Sequence, residues 1–138
     1  MKSRSESLIR LKKFQVDEKR RSVTQIEMMI ADFERMAAEL DQQIEIEQQK
    51  TGISDVAHFA YSTFAKAAIA RRDNLLNSAR DMKGTLESAQ DALAEAVEDL
   101  KKVELLDQRE HGREVEAQAK AEQADYDEIA RLRHMQRR

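Results

Sequence analysis

The stretch Val23-Thr-Gln-Ile26-Glu-Met-Met-Ile30-Ala-Asp-Phe33-Glu-Arg-Met-Ala37-Ala-Glu-Leu40-Asp-Gln-Gln-Ile44 decides the fold. Its apolar positions, Val23, Ile26, Ile30, Phe33, Ala37, Leu40 and Ile44, recur in alternating steps of three and four, and Glu, Asp, Gln and Arg fill most of the places between them. Apolar residues at that spacing stay on one face of a helix and form a coiled-coil seam. A second seam with the same alternation runs through Ala79, Met82, Leu86, Ala89, Leu93, Ala96, Leu100 and Val103. The two seams can close on each other or pair with a second chain, since knobs at one spacing serve both arrangements. Lys50-Thr51-Gly52 between them favours closure within the chain. A late Lys and then a Gly able to take the left-handed conformation end a helix, and Ser54 or Asp55 is positioned to cap the next one.

Composition agrees with a thin core. Six aromatics, three glycines, no proline and 37% charged residues do not describe a thick globular interior, and Val, Ile, Thr and the aromatics never form a sustained period-two run. The predicted fold is therefore all-α, a long antiparallel two-helix coiled-coil hairpin. Its expected layout is a single elongated domain over residues 1–138: helix 1 over about 5–50, a turn at 51–55, the tip and helix 2 over about 56–106, and a polar helical overhang over 107–138. With the turn there, residue i faces roughly residue 105 − i, so everything past about residue 105 lacks a partner in the chain.

Charge is unevenly spread. Residues 1–21 hold eight Lys or Arg against three acids, whereas residues 22–49 hold seven acids against Arg35 alone. Arg131, Arg133, Arg137 and Arg138 close the chain with no acid among them. Leu8, Leu11 and Phe14 fall beside the extended seam while Lys12 and Lys19 fall on it. The basic start is thus either a fraying end with snorkelling lysines or a docking surface of apolar anchors ringed by positive charge. In a hairpin both basic termini meet at one end.

Half of the aromatics lie within six residues, Phe59, Tyr61 and Phe64. On a helix Tyr61 and Phe64 share a face that Phe59 cannot join. Either a short helix folds back at the tip to bury the odd ring, or an aromatic surface for a partner is exposed there. Gly84 lies inside the second helix off the seam, where it marks a bend or a close contact.

Several classes of chemistry find no support. Without cysteine there is no disulfide and no thiolate chemistry. His58, His111 and His134 are scattered, and Gly52, Gly84 and Gly112 are isolated, so neither a metal motif nor a phosphate-cradling loop is formed. No catalytic residue, cofactor or metal is expected. No apolar run approaches the roughly 20 residues that span a bilayer, and no apolar signal segment follows the basic start. Membrane insertion is not expected, and a cytoplasmic location is. Nucleic-acid binding is disfavoured by the acidic stretches beside the basic ends and by the lack of aromatics among the terminal arginines.

The opening Leu8-Ile-Arg-Leu-Lys-Lys-Phe-Gln-Val-Asp-Glu-Lys-Arg-Arg21, followed by a glutamate-rich seam, a Gly turn, an aromatic segment and a second long helix, resembles the FliJ family of flagellar type III export, and most of all its alphaproteobacterial members. The resemblance implies a non-enzymatic, stalk-like hairpin that engages the hexameric flagellar export ATPase and the membrane export gate and handles export chaperones, at the flagellar base. On that footing the candidate partner-binding residues are Arg10, Lys12, Lys13, Arg20 and Arg21 at the basic end and Phe59, Tyr61 and Phe64 at the tip. The alternative is a general coiled-coil chaperone or adaptor that holds clients through the tip and the last thirty residues without an ATPase.

Overall fold

The computed structural model describes residues 4–137. Two helices, α1 (Arg4–Thr51) and α2 (Thr63–Gln136), account for nearly all of them, and no strand occurs among the described residues. The chain divides into two compact units, one of residues 15–96 and one drawn from residues 1–14 and 97–138.

In the first of these units α1 and α2 run antiparallel. The seam of α1 packs as its spacing requires: Val23, Ile30, Ala37 and Ile44 are buried, with Ile26, Phe33 and Leu40 half-buried between them. Val16 extends the buried row, so the buried side chains of α1 recur every seventh residue. On α2 the buried positions are all alanine, Ala65, Ala68, Ala79 and Ala96. The buried row of α1 is thus mostly branched and that of α2 small. Each buried Val or Ile contributes roughly 1.5–3 kcal/mol.

The link between the helices is longer than the sequence suggests. Gly52 does end α1, with φ +73 and its N–H donating to the Gln48 carbonyl at 2.9 Å. Asp55 then caps a turn instead of a helix: its carboxylate accepts from the Ala57 N–H, and its carbonyl accepts from the His58 N–H, both at 3.0 Å. A second turn, closed by the Tyr61 N–H on the His58 carbonyl at 3.0 Å, precedes α2. The true cap is Ser62, whose hydroxyl accepts from the Ala65 N–H at 3.2 Å and donates to Glu47 at 3.1 Å. No helix forms at the tip.

The longer link shifts the pairing. Ser62 meets Glu47, Arg72 meets Asp41 at 2.8 Å and Lys83 meets Glu34 at 3.9 Å, so residue i faces roughly residue 113 − i instead of 105 − i. It also extends the α2 seam backwards. Tyr61 and the buried Ala65 and Ala68, then half-buried Arg72 and Leu75, continue the steps of four and three from Ala79. Gly84 marks no close contact, since a Cβ built there meets nothing within 4 Å, and α2 continues unbroken through it.

In the second unit Ser5 donates to Glu110 at 2.9 Å, and Ile9 and Lys12 are half-buried on α1. On α2 the half-buried row Val97, Leu100, Val103 and Asp107 is the last, and Glu110 makes the Ser5 contact from an exposed position. From residue 108 to residue 137 every position is exposed, and the helix passes Gly112 without a break.

Candidate partner-binding surfaces

The basic residues singled out by the sequence are divided between the units. Arg10, Lys12 and Lys13 belong to the unit of residues 1–14 and 97–138, and Arg20 and Arg21 to the other. None of the five forms an ion pair among the described residues, and all but the half-buried Lys12 are exposed, so their charges stand open to solvent. Arg131, Arg133 and Arg137 share a unit with Arg10, Lys12 and Lys13 but do not meet them at one end. From Glu110, opposite Ser5, to Arg131 the helix climbs roughly 30 Å at about 1.5 Å per residue.

At the tip the three aromatics part company. Tyr61 is 5% exposed and its hydroxyl accepts from the Gln48 amide at 2.8 Å, so it closes the end of the seam. Phe59 is 96% exposed and stacks only on His58, with ring centroids 4.7 Å apart. His58 is itself fastened, its Nδ1 accepting from the Ala60 N–H at 3.0 Å. Phe64, in the first turn of α2, is exposed as well. The turns thus hold one ring in solvent on a backbone already ordered by hydrogen bonds, so little conformational entropy remains to be lost when a partner covers it.

Arg72 escaped the sequence reading. It occupies a seam position, and its guanidinium forks to Asp41 at 2.8 Å and to Asp73 at 3.1 Å. Those two hydrogen-bonded carboxylates, Asp41 foremost, hold it above the ordinary arginine pKa. Stepping back by four and three from Ala79 reaches it, but an arginine at a knob position does not register as part of an apolar row.

Among the described residues no group of three His, Asp or Glu side chains could hold a metal ion, and no helix is long and apolar enough to cross a membrane. The surface depressions are shallow and lined by mixed side chains such as Met36, Leu40, Arg71 and Leu75.

An all-α chain of two long helices packed against each other defines a coiled-coil protein. The chain belongs to the FliJ family: the family model described as Flagellar FliJ protein matches residues 1–138. It is thereby a component of flagellar protein export. Neither the curated proteins nor the solved structures contain a match to it.

Proposed function

We propose that this protein is a cytoplasmic stalk of the export apparatus at the flagellar base, engaging the hexameric export ATPase and the export gate and handling export chaperones. The observation that carries the reading is the family match over residues 1–138. The open charges of Arg10, Lys12, Lys13, Arg20 and Arg21 support electrostatic docking to the ATPase. Exposed charges of this kind chiefly raise association rate and make binding salt-sensitive. Reversing Arg10, Lys12 and Lys13 to Glu should weaken ATPase binding at low salt while circular dichroism stays unchanged. Undiminished affinity would remove the docking role.

Phe59 supports a second reading, an adaptor that holds chaperones or helical clients through Phe59 and Phe64 without an ATPase. Tyr61, buried against Gln48, orders the tip and does not take part in the contact. Phe59→Ser should abolish chaperone capture by the isolated protein and leave ATPase binding intact. Retained capture would exclude the tip.

A further inference from the structure

One seven-residue pattern occurs twice in the unit of residues 1–14 and 97–138. Leu8-Ile-Arg10-Leu11-Lys12-Lys13-Phe14 on α1 and Ile129-Ala-Arg131-Leu132-Arg133-His134-Met135 on α2 place apolar residues at the first, fourth and seventh positions and basic residues at the third and fifth. On a helix the three apolar side chains cover an arc of about 120°, and the two basic ones flank it on either side. All six apolar residues, Leu8, Leu11, Phe14, Ile129, Leu132 and Met135, are exposed. Neither heptapeptide contains an acid. Arg131 is held by Glu128 in the preceding turn, whereas Arg10, Lys12, Lys13 and Arg133 have no ion pair among the described residues.

Exposed apolar arcs flanked by cations, of which only Arg131 is paired among the described residues, fit an anionic lipid surface. The apolar residues enter the acyl boundary, and the long Arg and Lys side chains reach back to headgroup phosphates. Charge favours the same occupant: this unit carries fourteen Lys and Arg against twelve Asp and Glu, while residues 15–96 carry ten against fifteen. The repetition argues for a bilayer over an acidic protein. With Ser5 opposite Glu110, Leu11 lies level with residue 104 or so, and Leu132 is about 40 Å further along α2. A protein partner would need two like sites at that spacing, whereas a bilayer offers the same site everywhere.

We propose that these two heptapeptides adsorb the protein to the interface of anionic membranes, without spanning them. The proposal is independent of the ATPase reading, although Arg10, Lys12 and Lys13 serve both. The test mixes the full-length chain alone with vesicles of phosphatidylcholine and with vesicles of phosphatidylcholine and phosphatidylglycerol, and measures partition by co-sedimentation over a salt series. Binding should appear on the anionic vesicles only and fall as salt rises. Leu11→Ser and Leu132→Ser, both at exposed positions, should each lower partition about tenfold with helicity unchanged. Equal binding to neutral vesicles, no binding to anionic ones at low salt, or indifference to both serine variants would overturn the proposal. Capture by polyglutamate with no vesicle binding would overturn it in favour of an acidic protein surface.

Discussion

Ile30 and Ile129 are the same side chain on the same kind of helix, rich in Glu, Gln and Arg, yet one is buried and the other exposed. Ile30 belongs to a row that repeats every seventh residue from Val16 to Ile44, and α2 carries buried residues of its own opposite that helix. Ile129 belongs to a helix with no half-buried position after Asp107. Amphipathic pattern alone does not bury a residue. A second helix at matching spacing does, and most helical stability comes from such packing.

The largest test of that contrast is a matched pair of truncations. Ile30→Ala should destabilise by about 2–4 kcal/mol in urea unfolding, as buried isoleucines do, while Ile129→Ala should stay within about 0.5 kcal/mol. Equal losses would mean that Ile129 is covered in solution.

Next in size comes the turn. Among the described residues Gly52 alone has positive φ, so Gly52→Ala should cost about 1 kcal/mol by melting temperature even though nothing lies within 4 Å of the added methyl group. Gly84 and Gly112 sit in helix with open space around them, and there the same substitution should act in the opposite direction. Gly84→Ala should stabilise by up to about 1 kcal/mol, whereas Gly112→Ala should show mainly as increased helicity by circular dichroism, because every position of residues 108–137 is exposed.

The smallest effect on stability is expected at Arg72. Asp41 and Asp73 are both more than half exposed, so Arg72→Leu leaves no buried charge behind and should change stability by less than about 1 kcal/mol. A polar residue at one knob position fixes register and partner choice. The leucine variant should therefore show a larger share of dimer by light scattering than the parent chain.

The helices and their buried faces were legible because Val23 to Ile44 and Ala79 to Val103 repeat without a miss. The link was not. Asp55 has the same capping chemistry at the head of a turn as at the head of a helix, and only the Ser62 contact with Glu47, fifteen residues back, distinguishes the two. That error set the facing register eight residues short. It also concealed the difference between Phe59 and Tyr61, which depends on which of them follows the seam back from Ala65. The open basic residues could be named from the chain, but their partition between units depends on where α2 stops packing.

The hydrogen bonds of residues 52–62 also bear on how residues 15–96 fold. Contacts there join residues ever further apart in sequence with distance from the tip, from Gln48 with Tyr61 to Glu34 with Lys83. Closing the shortest loop costs the least entropy, so pairing should nucleate at the tip and zip downward. Truncations near Ile44 and Ala65 should then slow folding, whereas those at Val16 and Ala96 should chiefly speed unfolding.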